Sequence, residues 1–233
     1  MRRTNTLTIL VCIFLFSNAL LFSETQKASL TYFKGKILFY RNRIQIQPVL
    51  KMAVLPGDSL VTGDESSLEV TYEDGSVSSL EPNSIIKIKE IKKENGLFTT
   101  RIKTWLGRIL CKVKKLRSGE TFEVYTPTAV ATVRGTVFEA EVTKNQETLI
   151  NVVSGKVFAK SLIEGAKTYL VKESFKYTVG RKGIPIVRKL TEKEITGLRG
   201  RAKSYLRGFI EEEKTKMKEN IKEKVRKGCL GFF

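Results

Sequence analysis

Few residues in this chain could do chemistry, and their types narrow what that chemistry could be. No histidine occurs among the 233 residues, which removes imidazole as general base, metal ligand or partner of a serine or cysteine nucleophile. The three aspartates, Asp58, Asp64 and Asp74, fall within one short stretch, a concentration of oxygen ligands that a calcium site would need. Each adjoins a glycine (Gly57, Gly63 and Gly75), and aspartate beside glycine is the chemistry of tight turns, which is the stronger reading. Arg134, next to Gly135, could hold a carboxylate or phosphate. Equally, it could be a buried arginine satisfied by backbone carbonyls or a glutamate. Trp105, the single tryptophan, stands among basic residues and could stack on a sugar ring if exposed, although a lone tryptophan in a β protein is ordinarily a core residue. Thr126 and Thr136 suit turn and backbone hydrogen bonds better than nucleophilic attack. These residues form no catalytic constellation, so the expectation is a protein that is not an enzyme and uses no cofactor or metal.

The elements that must position Arg134 are strands. From Phe122 to Val142 apolar residues alternate, break at Thr126-Pro127, run through Val133-Arg134-Gly135-Thr136 and resume with Phe138, Ala140 and Val142 on one face. Glycine inside a strand pattern marks a bulge or a close backbone approach. The same short-strand pattern extends from Leu30 to about Val187. Turn signals punctuate it at Asp74-Gly75, Asn95-Gly96, Ser118-Gly119, Lys144-Asn145, Glu164-Gly165 and Lys182-Gly183. Such a succession argues for a β-sandwich or barrel. Cys111 lies on one face with Ile109 and Val113 and reads as a small buried hydrophobe.

The segment around Arg134 resembles the FecR domain, a periplasmic module named after the regulator of ferric-citrate uptake. Phe122, Thr126-Pro127, the run Ala129 to Val133, Arg134-Gly135-Thr136 and Phe138 carry the resemblance. Val152-Val153-Ser154-Gly155-Lys156-Val157 looks like the family's next strand pair. Pro56 to Gly63 and Tyr72 to Ser76 resemble the turns that precede them. The similarity covers roughly residues 30–180. It implies a mainly β fold, a jelly-roll-like β-sandwich of many short antiparallel strands. Because the arginine recurs in a family with diverse partners, the resemblance favours a structural role for Arg134, and for Phe122, Thr126, Pro127, Gly135, Thr136, Phe138 and Gly155 with it.

At the N-terminus, Arg2-Arg3, an apolar run from Leu7 to Phe22 and Ser23 before Glu24 follow the order of a secretory signal peptide. It is either cleaved or, since Leu21-Phe22 is a poor cleavage site, retained as an anchor. Six residues before Leu7 leave no room for the cytoplasmic region with which the family's iron-uptake regulators handle a sigma factor. Cys12 would leave with the peptide, and Cys229 sits in a terminal tail. After Leu190 the period changes. Thr191-Glu192-Lys193-Glu194 is a capping box, followed by Ile195, Leu198, Ala202, Tyr205, Leu206, Phe209 and Ile210 at near-helical spacing, with Gly228 as a terminator. The expected organisation is a signal peptide over 1–23, a β domain over 28–187 and a basic amphipathic helical extension over 190–228.

Charge points to partners. Lys and Arg number 42 against 24 Asp and Glu, a net charge of +18, which favours polyanions. Export argues against nucleic acid and toward anionic envelope polymer or lipid. Arg199, Arg201, Lys203 and Arg207 on the helix are candidate contacts for an anionic surface. The helix could instead dock on the β domain or pair with a second chain. The reading is an exported, non-enzymatic FecR-domain protein of the cell envelope that binds another envelope protein as sensor, adaptor or scaffold. Its rival is a basic envelope protein that holds anionic wall polymer or membrane lipid through charge, with peripheral membrane contact.

Overall fold

A side-chain period of two places one set of residues inward along nearly every segment from Ala28 to Lys189, and the chain pairs these segments into ladders. The computed structural model describes residues 27–205. The expected signal segment, Cys12, Cys229, and the helical positions Leu206, Arg207, Phe209, Ile210 and Gly228 lie outside them. The strands are β1 (Ala28–Lys34), β2 (Ile37–Arg41), β3 (Ile44–Ile46), β4 (Ser59–Thr62), β5 (Ser67–Tyr72), β6 (Val77–Leu80), β7 (Ile85–Glu94) and β8 (Leu97–Lys112). They continue as β9 (Thr121–Tyr125), β10 (Ala129–Val133), β11 (Val137–Val142), β12 (Thr148–Ser154), β13 (Lys156–Ser161), β14 (Thr168–Lys172), β15 (Phe175–Val179) and β16 (Ile186–Lys189), and a helix α1 (Glu192–Tyr205) follows.

One strand joins two arms. The first half of β8 pairs with β7 and β9, in an arm ordered β3-β2-β4-β7-β8-β9-β10-β13-β14. Its second half pairs with β6 and β11, in an arm ordered β1-β5-β6-β8-β11-β12-β15-β16. We call these the outer-lysine arm and the helix arm. The changeover falls at Gly107, which has φ 81°. A Cβ there would lie 2.4 Å from Ser84 Oγ and 2.6 Å from the Asn83 carbonyl oxygen, so only glycine lets β8 pass between the arms.

The mainly β class and its many short strands are as expected, although β8 runs for 16 residues. One feature needs correction, since the strands are not all antiparallel. β9 runs parallel to β8, with Thr99 opposite Thr121 and Lys103 opposite Tyr125. The cause is the changeover: β8 ends in the helix arm, and the chain returns through residues 113–120 to start β9 beside the beginning of β8.

Residues of both arms enclose one apolar core. Phe39, Leu60, Ile86, Ile102 and Phe122 from one arm and Leu30, Leu68, Ile109, Phe138 and Ile150 from the other are fully buried in a single cluster. Tyr72 meets Phe122 edge to face across it, with ring centroids 5.7 Å apart. Cys111 lies in the same core, as its face predicts, and burial pushes its thiol up to about 12. The Asn95-Gly96 signal is the β7–β8 turn, with both residues at positive φ.

The capping box forms as the sequence predicts. Glu194 Oε2 accepts from the Thr191 backbone N–H at 2.9 Å, and Thr191 Oγ1 accepts from the Glu194 N–H at 3.3 Å. Of the alternatives open for the helix, docking is the one observed for its described part. Leu198 and Ala202 are buried, and Ala202 joins Val77 and Leu110 in a second apolar cluster on the outside of the helix arm.

Candidate functional site

The family-motif residues form a structural knot. Phe122 and Phe138 are core. Thr126 Oγ1 accepts from the backbone N–H of Ala129 at 2.9 Å, and Thr148 Oγ1 donates to Thr126 at 2.7 Å. Pro127 sits in the turn that these bonds close. Gly135 has φ 101°, and a Cβ there would come 2.9 Å from Lys115 Cα. A Cβ on Gly155 would meet the Gly135 carbonyl oxygen at 2.8 Å, while Thr136 Oγ1 donates to the Lys156 carbonyl at 2.7 Å. These glycines permit backbone on backbone packing between β10, β11 and β13.

Arg134 departs from the expectation of a buried arginine. It is exposed at the bend between β10 and β11, with no ion pair or side-chain hydrogen bond among the described residues. Val133 takes the inward position, so the next side chain points to solvent. The aspartates take separate roles. Asp58 is buried and accepts from Arg41 Nε at 2.9 Å and NH2 at 2.8 Å, Asp64 accepts from Asn83, and Asp74 accepts from the Ser76 N–H. Among the described residues they form no metal-binding group.

The outer face of the helix arm carries a charge network that the sequence reading missed. Glu139 on β11 has no exposed surface, and Arg201 of α1 grips it with Nε at 2.7 Å and NH2 at 3.0 Å. Asn151 Nδ2 donates to the same carboxylate at 2.9 Å. Arg108 bridges Glu141 at 3.0 Å and Glu81 at 3.5 Å. Burial, and then the nearby Glu139, raise the Glu81 pKa, while Arg108 and Arg201 oppose that rise. Lys176 and Arg188 both reach Glu194 at the start of the helix. The sequence carried no signal for it, because Phe138-Glu139-Ala140-Glu141-Val142 alternates as a strand with one solvent face would, and only the docked helix buries Glu139.

Arg201, one of the candidate anionic-surface contacts, has its guanidinium held by Glu139 of the sheet that the helix covers. Arg199 and Lys203 are exposed, and Arg199 lies 3.7 Å from Glu173.

The outer face of the other arm is different in kind. Trp105 is 46% exposed, against the expectation of a core tryptophan. The buried neighbours on β8 are Ile102 and Thr104, so alternation places Trp105 on the outer face, beside an irregularity in the β7–β8 pairing. Lys103 Nζ stands 3.5 Å from the Trp105 ring centroid, and Lys89 Nζ 4.5 Å from that of Tyr125. In the next row Arg101 is held by Glu90 and Glu123. Phe158 and Leu170 are also exposed, side by side on β13 and β14.

A family model described as FecR protein matches residues 58–158. No curated protein matches the chain. Among solved structures, the chain is similar to one described as a "putative anti-sigma factor" from Parabacteroides distasonis, at 16% identity and a TM-score of 0.50 over 59% of this chain. A second structure with the same description gives 17% identity and a TM-score of 0.49 over 59% of this chain. The chain spans 62% of the length of each. At these identities the likeness is one of fold.

Proposed function

Residues 58–158 are a FecR domain, and from that premise we propose that the chain is an exported, non-enzymatic binding module of the cell envelope that acts as a sensor or scaffold. The family match carries this reading, because FecR domains belong to regulators whose sensing part lies in the periplasm. The glycine knot at Gly135 and Gly155 supports it physically, by spending the family motif on holding β10, β11 and β13 together and leaving the outer faces of the strands to present side chains. In this reading the Leu7–Phe22 pattern directs export, and the two arms serve as the scaffold. Likeness to an anti-sigma factor fits a signalling context, in which an envelope protein is the partner.

A second reading is a basic envelope protein that binds anionic wall polymer or lipid by charge. The net charge of +18 favours it. Fractionation with N-terminal sequencing and in-cell crosslinking tests the first reading. The expected result is a chain that starts near Glu24, sediments with or outside the envelope, and crosslinks to an envelope protein. Soluble cytoplasmic protein that starts at Met1 would overturn it.

A further inference from the structure

The two outer faces treat charge in opposite ways. On the helix arm Arg108, Lys176, Arg188 and Arg201 all pair with carboxylates. On the other arm Lys87, Lys89, Lys103 and Lys160 have no ion pair among the described residues, and Lys103 and Lys89 stand over the rings of exposed Trp105 and half-buried Tyr125. Lys87 lies opposite Lys103, Lys103 opposite Tyr125, Tyr125 opposite Val130, and Val130 opposite Lys160. With strands about 4.8 Å apart, this row spans roughly 19 Å across five strands. Burial chiefly, and then the nearby Lys89, lower the Lys103 pKa. Gathering like charges costs energy unless a counter-charge offsets it.

We propose that this face binds an anionic polysaccharide, with Trp105 and Tyr125 stacking on sugar rings and Lys87, Lys89, Lys103 and Lys160 pairing with acidic groups along the chain. The assignment rests on the second, charge-driven reading and gives it one face of the β domain. A flat row this long suits an extended polymer better than a small molecule. Indole and phenol rings present flat apolar faces to the C–H side of a sugar, and lysine ammonium groups are point charges that accept carboxylate or phosphate alike. Nucleic acid fits less well, because the one guanidinium in the adjoining row, on Arg101, is already held by Glu90 and Glu123.

Trp105 is the only tryptophan in the chain, so its fluorescence reports on this face alone. The experiment titrates the full chain with polygalacturonate, dextran phosphate, neutral dextran and an oligo-dT strand. The expected result is a Trp105 response to an acidic glycan that fades as salt rises, with little response to dextran and a weaker one to oligo-dT. Whichever acidic glycan binds more tightly identifies the acidic group. The double variant Lys87→Glu/Lys103→Glu should weaken binding about tenfold or more, and Trp105→Ala should do likewise by co-sedimentation, the scale of one lost stacking contact or two lost charge contacts. Both substitutions are at exposed or half-exposed positions, and circular dichroism checks that both variants keep the parent's melting transition. The proposal is overturned if neither acidic glycan binds, if the folded variants bind as the parent does, or if oligo-dT binds as tightly as the glycans. None of these outcomes touches the binding-module reading, which stands or falls on where the chain resides and on its crosslinked partner.

Discussion

Arg201 of the helix and Glu139 of the sheet form a two-pronged ion pair, with contacts of 2.7 Å and 3.0 Å, over a carboxylate with no exposed surface. The pair fastens α1 to the segment that the FecR family model matches, because Glu139 lies inside residues 58–158 and Arg201 lies outside them. A buried carboxylate without its partner is costly, so the helix is part of what keeps this sheet face stable.

Arg201→Ala should therefore destabilise the fold. Removing one member of a buried pair typically costs about 3–5 kcal/mol, and the partial exposure of Arg201 places this case toward the lower end. Denaturant unfolding of the parent and variant measures it. Truncation after Lys189 should be worse, since it uncovers Val77 and Leu110 as well. A truncated chain as stable as the parent would show that the docked helix adds nothing to the sheet.

Gly135→Val should destabilise by about 1–3 kcal/mol, because its φ of 101° and the 2.9 Å approach to Lys115 leave no place for a side chain. Arg134→Ala, one residue away, should change stability by less than about 0.5 kcal/mol, as exposed substitutions do. Thermal melts of the two variants should differ clearly. Equal losses would mean that Arg134 has a structural partner.

The start of the helix should loosen in acid. Hydrogen bonds from Arg188, the Thr191 backbone and Lys176 hold the Glu194 carboxyl well below its ordinary range. With the folded value depressed, the stabilisation is complete above the unfolded carboxyl pKa, about 4.3, and is lost as pH falls below it. Glu81 has the opposite sign, since its raised pKa means that protonation as pH falls favours the folded state. The protection factors of the amides at residues 191–195, corrected for intrinsic exchange, should fall below about pH 4 in the parent. In Glu194→Gln they should be low already and nearly independent of pH over that range.

Cys111 should resist thiol reagents at pH 8 until the protein unfolds, because its thiol is buried and pushed up to about 12. Peptide mapping after timed alkylation checks this, and modification of Cys111 in the native state would contradict the burial.

Period-two alternation made the strands legible, and Asn95-Gly96 made the β7–β8 hairpin legible, because both depend on local backbone geometry alone. The parity of β8 also held the true position of Trp105, since Ile102 and Thr104 face inward, but the frequency of buried tryptophans obscured it. Likewise Val133 points inward and fixes Arg134 as outward. The parallel β8–β9 pair was not legible, because it follows from β8 crossing between arms at Gly107, a contact with Ser84 that lies 23 positions away in sequence. The Glu139–Arg201 pair spans 62 positions. The sequence at Phe138-Glu139-Ala140 alternates like a half-exposed strand, so nothing local hinted that a helix covered Glu139. The lysine–aromatic row assembles from five strands, so no single stretch of sequence displays it.

Lysine-reactive footprinting tests the central claim most directly, by comparing the purified chain with the chain in intact cell envelopes. If the account is right, Lys87, Lys89, Lys103 and Lys160 are labelled in the purified protein and protected in the envelope, while Lys182, in an exposed turn away from that row, is labelled equally in both. Equal labelling of all five lysines in both settings would contradict it.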